Sequence, residues 1–379
     1  MDIQNSQPIR VLEVFGRMNR GGAEAMIMNL YRKMDKSKVQ LDFMVHTTEH
    51  CQFDDEIEQL GGHIYRVPRF RVANYFSYRR AWRHFFKTHP EIKVVHGHMG
   101  ATAAIYLHEA NRAGCFTIAH SHSAGKKIDS AHDIFYNSFS YFTRFVAKQF
   151  FGCSTEAGIS RYGTKVVNSP SYRNFPNAIE LRDFTYNEGY RRQDREALHI
   201  NPDQLVVIHV GRVTPPKNPP MLFSIFKEIV KQNADVVCLW VGTGELEGKY
   251  KQLIEKENLQ DRIRMTGVRS DIPQLLMAAD CFLFPSLWEG LPVSVIEAQA
   301  TGLPCVIADT ISREVEVTDL VEWHKLTESP AEWAKRCIAL AQENRQTRQS
   351  PISEIRAAGY DITESVKELT KFYLEQTIC

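Results

Sequence analysis

Two glutamates eight positions apart, Glu289 and Glu297, bracket a turn in the stretch FLFPSLWEGLPVSVIEAQATGLP, residues 282–304. The stretch reads as a buried strand from Cys281 to Pro285, a turn over Ser286 to Gly290, and a helix entered near Pro292. Proline suits a first helical turn because its missing N–H is not needed there. Glu289 then falls in the loop at the carboxyl end of the strand, and Glu297 about two turns into the helix. The free amides around Leu291, Val293 and Ser294 point into the same crevice. An anion site with a carboxylate on either side suits a ligand with a phosphate in its middle and hydroxyls at both ends, such as a sugar nucleotide. The plain alternative is a strand–turn–helix unit with two solvated glutamates.

A second stretch, GRVTPPKNPP, supplies cations: Arg212 and Lys217, in a loop stiffened by Pro215 and Pro216. A charge pair 4 Å apart is worth about 4 kcal/mol at an effective dielectric near 20. A helix end supplies only about 0.3–1 kcal/mol. If a diphosphate binds, the two cations therefore dominate and the 292–294 amides refine its position. Otherwise this is a surface loop with two solvated cations. Near the start, GRMNRGGAE holds Gly21 and Gly22, whose lack of a Cβ lets a ligand approach the backbone. On its own that pattern also fits any tight strand-to-helix turn.

Histidines form a third group. VVHGHMG (94–100) and FTIAHSHSAG (116–125) are strands that each end in His-x-His, giving His96 with His98 and His120 with His122. Alternation along a strand puts both members of a pair on one face, an arrangement a metal could use. Sequence fixes no carboxylate or third ligand beside them, so a polar wall with one histidine positioning substrate asks for less. Histidines satisfied at a strand end are the plain alternative.

Positioning these groups takes a scaffold, and the chain supplies one. RVLEVF (10–15) is a strand and Ala23 to Met34 a helix; QLDFMVHT is a strand, DDEIEQLGG a helix closed by glycine, and HIYRVP a short strand. FGCSTEAG (151–158) reads as a strand ending in a turn, and NSPSYRNFPNAIE (168–180) as a connector. The opening pattern then recurs about 195 positions on, with LVVIHV, the cationic loop and the helix MLFSIFKEIVKQ. VVCLWVGTGE, RIRMTGVRSDI and AADCFLF are further strands, PCVIADT (304–310) is the last strong one, and EWAKRCIALAQE and SVKELTKFYLEQ are closing helices. Alternating strands and helices build doubly wound parallel sheets, with ligands at the carboxyl ends of the strands. The expected architecture is α/β: two Rossmann-like domains facing across a cleft, residues 1–180 on the acceptor side and 181–360 holding the donor nucleotide. Residues 361–379 are expected to form a helix packing back toward the first domain.

Composition narrows the class. The chain has 379 residues, 43% hydrophobic and 24% charged, with a net charge of +1. That fits a globular protein and argues against a nucleic-acid footprint over the whole chain. Eight cysteines at 51, 115, 153, 238, 281, 305, 337 and 379 form no CxxC pair, so they read as reduced core residues. The polar start MDIQNSQPIR gives no expectation of a signal peptide. No apolar run is long enough to span a membrane. The expected location is cytoplasmic. The segment 69–93, RFRVANYFSYRRAWRHFFKTHPEIK, reads in two ways: a peripheral patch for anionic lipid or a lipid-phosphate acceptor, or an amphipathic helix with its aromatics in the core. The aromatic stretch 128–152 carries the same two readings.

With these segments in view, the chain resembles the retaining GT-B glycosyltransferases of family four, especially the bacterial exopolysaccharide and capsule branch. The resemblance covers nearly the whole length, through MNRGGAEAMIMNLYRKMD, IAHSHS, GCSTEAG, PNAIE, GRVTPPKN, GVRSDI, FPSLWEGLPVSVIEAQATGLP, DTISREVEVTDLVEW and GYDI. The glutamates eight apart together with the Arg/Lys loop are its specific part. It implies transfer of a sugar, from a UDP-sugar more than from other nucleotide sugars, to a glycan or polyprenyl-linked saccharide. It implies no metal and no cofactor beyond the nucleotide-sugar co-substrate. Arg212 and Lys217 would neutralise the diphosphate, and Glu297 would hold the ribose hydroxyls. Glu289 would face the transferred sugar beside the Gly290, Leu291 and Val293 backbone, and Val268 and Arg269 would line the base. Gly21 and Gly22 would pass near the phosphate. A histidine at the end of the 116–122 strand would touch the sugar near the reacting carbon. The family pattern there is one histidine followed by Asp or Asn, whereas this chain has His120 and His122 followed by Ser123. The strand end favours His122. A sugar-nucleotide epimerase or a non-catalytic sugar-nucleotide sensor would suit the same fold.

Overall fold

The computed structural model describes residues 7–19, 21–122, 140–345 and 347–377. The chain divides into two compact units, one running to Ala178 and resuming at Ile362, the other spanning Ile179–Asp361.

The first unit is built on a seven-stranded parallel sheet: β1 (Ile9–Phe15), β2 (Val39–Val45), β3 (Ile64–Arg66), β4 (Ile92–Gly97), β5 (Phe116–Ser121), β6 (Gln149–Gly152) and β7 (Tyr172–Asn174), in the order β3-β2-β1-β4-β5-β6-β7. Every residue of β2 is buried, as is β1 from Val11 onward. Helices cover both faces of such a sheet, which is why its central strands read as apolar runs. One face packs Val11, Phe43 and Ile118 against the Gly22–Lys33 helix and against Val366, Leu369, Phe372 and Tyr373 of the Ile362–Glu375 helix. The other packs Leu12, Val14 and Val95 against the Tyr75–Thr88 and Ala103–Arg112 helices.

Three sequence expectations change here. The supposed connector 168–180 contributes β7, paired in parallel with β6. The supposed turn after Gly152 is a helix, Thr155–Tyr162, started by Ser154, whose Oγ accepts the Ala157 N–H at 3.0 Å. In the 128–152 stretch, residues 149–152 are strand β6 and residues 128–139 lie outside the described residues. In the 69–93 segment, Tyr78, Trp82, Phe85 and Phe86 belong to the core. Arg79 and Arg83 are tied to buried Glu109 at 2.6 and 2.7 Å. Phe76 is its exposed aromatic, at 83%.

The second unit carries a six-stranded parallel sheet: β8 (Leu205–Val210), β9 (Val236–Val241), β10 (Ile263–Gly267), β11 (Cys281–Phe284), β12 (Cys305–Ala308) and β13 (Val321–His324), ordered β10-β9-β8-β11-β12-β13. β13 extends the sheet past the strand expected to be its last. Beneath the sheet sits an unforeseen ionic knot. Asp280, 2% exposed, accepts from Arg191 at 2.6 Å, Arg195 at 2.8 Å, Arg345 at 3.2 Å and the Val206 N–H at 2.8 Å. A buried carboxylate is tolerated only when so fully paired. The seven cysteines among the described residues are all buried, and no described helix is long and apolar enough to cross a membrane.

Candidate active site

In each sheet the strand order reverses beside the unit's first strand, between β1 and β4 and between β8 and β11. At such a switch point the loops above the two strands part and open a crevice.

In the second unit, two loops line that point. After β8 the chain makes a short 3-10 turn over Pro215–Lys217 and passes through Asn218 in the left-handed region, φ +53°. Asn218 tolerates that conformation, and its Nδ2 donates to the Pro285 carbonyl at 3.1 Å. The Leu287 N–H donates to the Pro216 carbonyl at 2.8 Å. The loops after β8 and β11 are thus buttoned together, and this brings Lys217 to Glu289. Their Nζ–Oε1 distance is 2.7 Å, with side chains 16% and 14% exposed. Lys217 Nζ also stands 4.6 Å over the Phe284 ring. Burial draws the Lys217 ammonium below its ordinary value, Glu289 pulls it back, and nearby Arg212 adds to the lowering. Arg212 itself is exposed and has no carboxylate partner among the described residues. Packing is tight: a Cβ on Gly211 would lie 3.0 Å from His209 Nε2 and 3.2 Å from Lys217 Cε. Burial pushes His209 down to about 3, so a neutral ring backs the cation.

The helix after the turn is Val293–Ala300, with Pro292 as its N-cap. Pro292 therefore precedes the first turn, and Glu297 lies just over one turn in, nearer the crevice than two turns would place it. Glu297 is half-buried, and its side chain has no hydrogen-bond or ion-pair partner among the described residues. Burial raises its carboxyl to about 7. Leu291 is buried, while Gly290 and Val293 are half-buried. At the end of β10, Val268 is 74% exposed and Arg269 is ion-paired with Asp271, its Nε 2.8 Å from Oδ1. Gly242 and Gly267 form a bridge there, both with positive φ, and a Cβ on Gly242 would fall 2.1 Å from the Gly211 carbonyl oxygen.

In the first unit the switch point is filled by imidazoles. In-register pairing sets Glu13 of β1 beside His96 of β4. His98 Nε2 is 2.7 Å from Glu13 Oε2, and the Tyr373 hydroxyl donates to Glu13 Oε1 at 2.9 Å. His96 Nδ1 meets Tyr373 Oη at 2.6 Å, and His96 Nε2 meets His120 Nδ1 at 3.2 Å. His98 Nδ1 meets His122 Nε2 at 2.7 Å. The His122 and His120 rings stack at 4.1 Å. Burial holds His98 and His120 well below the usual histidine range and takes His122 to about 3. His120 is buried, whereas His122 is half-buried at the strand's end. His96, His98 and His120 each offer a nitrogen within 4.8 Å of the others, near enough for a zinc-type ion. Both nitrogens of His96 and His98, and Nδ1 of His120, are already engaged with one another, with His122, with Tyr373 and with Glu13, while His120 Nε2 is buried without a hydrogen-bond partner among the described residues. Gly21 is the N-cap of the Gly22–Lys33 helix, and a Cβ on Gly22 would meet nothing within 4 Å. At Gly21, by contrast, a Cβ would collide with the Glu24 carboxylate.

Two family descriptions match the chain, Glycosyltransferase Family 4 over residues 20–158 and Glycosyl transferases group 1 over residues 190–357. A Bacillus subtilis protein named as the glycosyltransferase EpsF is 32% identical over 97% of both chains. The chain belongs to the GT-B glycosyltransferases of family four. A more distant member, the Staphylococcus aureus capsular polysaccharide biosynthesis glycosyltransferase CapH, is 25% identical over 98% of this chain and all of its own length. The fold matches Anabaena HepE, crystallised with UDP, with a TM-score of 0.77 at 16% identity, over 97% of this chain and 99% of that one.

Within this glycosyltransferase, the structure joins Lys217 to Glu289 and sets Arg212 close by. It holds Glu297 unpartnered and collects all four histidines of the two His-x-His pairs. Glu13 and Tyr373 escaped the sequence reading. A lone glutamate inside the apolar strand IRVLEVF was the available signal for the first. Nothing in sequence links Tyr373 to a carboxylate 360 positions away.

Proposed function

We propose that this glycosyltransferase moves a sugar from a UDP-sugar to a glycan or polyprenyl-linked saccharide with retention at the anomeric carbon, without a metal, in building a surface polysaccharide. The observation that carries the reading is the buttoned pair of loops at the β8/β11 switch point, which holds Lys217 against Glu289 with Arg212 alongside. The UDP in HepE and the name of CapH support the donor and the pathway class.

When the glycosyl–phosphate bond breaks, positive charge grows on the sugar and negative charge on the diphosphate. Lys217 and Arg212 stabilise the leaving UDP, as fixed cations do when aimed at developing charge. The acceptor hydroxyl attacks the same face, and its proton passes to the departing phosphate oxygen. Glu289 orients hydroxyls of the transferred sugar and keeps Lys217 in place; it is not a covalent nucleophile. Glu297 accepts from the ribose hydroxyls, Val268 and Arg269 flank the base, and the Gly290–Val293 backbone and Gly21–Gly22 approach the phosphates. His122 takes a hydroxyl of the sugar. Exposed Arg69, Arg71, Val72, Phe76, Arg80, Lys87 and Lys93 are the basic and apolar side chains of the 69–93 segment left to meet a membrane surface. Co-sedimentation with anionic vesicles tests that contact.

The deciding experiment is a thermal-shift panel of UDP-, GDP- and ADP-sugars, since a ligand that binds the native state raises the melting temperature. Incubation of each hit with and without saccharide acceptors follows, and the anomeric configuration of the product is read by NMR. A new sugar nucleotide formed from donor alone would reveal an epimerase and end this reading. An inverted product would remove the retaining part of it.

A further inference from the structure

We propose that Glu13 is a positioning residue which, through His98, locks His122 with its proton on Nε2 and its Nδ1 bare, so that His122 acts toward the transferred sugar as a hydrogen-bond acceptor. The proposal rests on the reading of His122 as the histidine that meets that sugar.

The geometry runs in one direction. Glu13 is fully buried in the middle of β1, and we take it as the carboxylate, which only accepts hydrogen bonds. His98 Nε2, 2.7 Å from Glu13 Oε2, must therefore carry a proton. The His98 side chain is 1% exposed and stacks on Phe15 at 4.2 Å, so its ring cannot easily turn. Buried among other imidazoles it is neutral and holds a single proton, which leaves its Nδ1 bare. The partner of that bare atom is His122 Nε2 at 2.7 Å, which must then be the donor. His122 is neutral as well, so its Nδ1 has a free lone pair. That atom is buried and makes no hydrogen bond among the described residues. One carboxylate thus sets the polarity of two rings, and the second presents an acceptor whose partner is missing. An acceptor there selects a sugar that offers O–H or N–H at that point and disfavours one that offers a carboxylate, because the two acceptors would face each other unpaired.

Nothing in folding asks for this arrangement. A glutamate inside an apolar strand is a desolvation cost that a leucine would avoid. Here it is retained with two donors arranged around it, Tyr373 at Oε1 and His98 at Oε2.

The test uses the full chain labelled with 15N-histidine. Long-range 1H–15N spectra report which ring nitrogen carries the proton, and the His122 signals are identified by their loss in His122→Ala. The wild type should show His122 protonated on Nε2 alone. Glu13→Gln keeps an oxygen that accepts from His98 and should keep both that tautomer and a kcat within about threefold of wild type. Glu13→Leu removes the acceptor. His122 should then populate both tautomers, and kcat should fall about 10- to 100-fold while the affinity for UDP alone is unchanged. A wild-type His122 protonated on Nδ1 overturns the proposal, as does a folded Glu13→Leu with wild-type spectra and kcat. Stoichiometric zinc among the histidines in elemental analysis would overturn it too. If Glu13→Leu does not fold, the wild-type and Glu13→Gln spectra decide alone. The spectra need no turnover, so a wild type that transfers no sugar counts against the proposed function and leaves the tautomer result standing.

Discussion

The two sheets put polar side chains at the same topological point and treat them in opposite ways. Between β1 and β4, Glu13 and the histidines pair mostly with one another, and burial disfavours charge on the His98, His120 and His122 rings. Between β8 and β11, Lys217 keeps one partner, while the side chains of Arg212 and Glu297 stand without a hydrogen-bond or ion-pair partner among the described residues. The difference fits the two charges that sugar transfer creates. A departing diphosphate needs cations held ready. A sugar turning positive is better served by neutral dipoles, because an imidazolium beside it would oppose the reaction. One fold, used twice, thus yields one site whose cations stand ready and one whose rings are held neutral around a paired acid.

Removing the main cation should break this contrast most sharply. Lys217→Ala should lower kcat about 10²–10³-fold, the usual loss for one group aimed at developing charge. A loss below tenfold in steady-state assays would mean that the charge lies elsewhere. His122→Ala should cost about 10- to 100-fold in kcat, the scale of one charge-free hydrogen bond left unmade. Because burial takes His122 to about 3, its neutral form prevails throughout the working range. The pH profile of the remaining activity should therefore keep the wild-type shape above pH 5.

Glu297 supplies a milder, pH-dependent effect. Its carboxyl is raised to about 7, so donor affinity should weaken as pH falls through that value, and Glu297→Gln should abolish the trend in donor KM measured from pH 6 to 8. The linkage to stability has the opposite sign from the usual salt-bridged acid. The unfolded chain loses this proton near the ordinary carboxylate value, whereas the folded chain keeps it until about 7. Ionisation therefore destabilises the fold progressively between those two values. Glu297→Gln should melt higher than wild type at pH 8 and alongside it near pH 4. The smallest effect should come from chelation: activity measured after EDTA treatment and desalting should be unchanged.

The sequence disclosed the parallel sheets well, because strands buried on both faces are continuous apolar runs, as in QLDFMV and VVCLWV. It concealed β7 and β13, three- and four-residue edge strands with polar members such as Arg173 and Glu322. Ser154 looked like part of a turn, although it caps a helix. Strand ends were enough to place Lys217 and Glu289 at one crevice, since both follow neighbouring strands. That the two touch depends on Asn218 and Leu287 fastening the loops, which no spacing rule encodes. Asp280 and its arginines left a partial trace, with Arg191 and Arg195 four apart on one helix, but their common anion lies some 85 positions further on. Arg269 was read as a base neighbour, though Asp271, two residues later, engages its guanidinium.

The Ile362–Glu375 helix gives the first sheet Val366, Leu369 and Phe372, and its Tyr373 hydroxyl reaches Glu13. During translation that helix appears only after the entire second unit has been made. The portion born first therefore waits with part of its apolar face uncovered and Glu13 short of one of its two donors. Domains usually complete themselves in the order of synthesis; here the order of completion is reversed, and a ribosome stalled anywhere in the second unit would display an unfinished first one to chaperones.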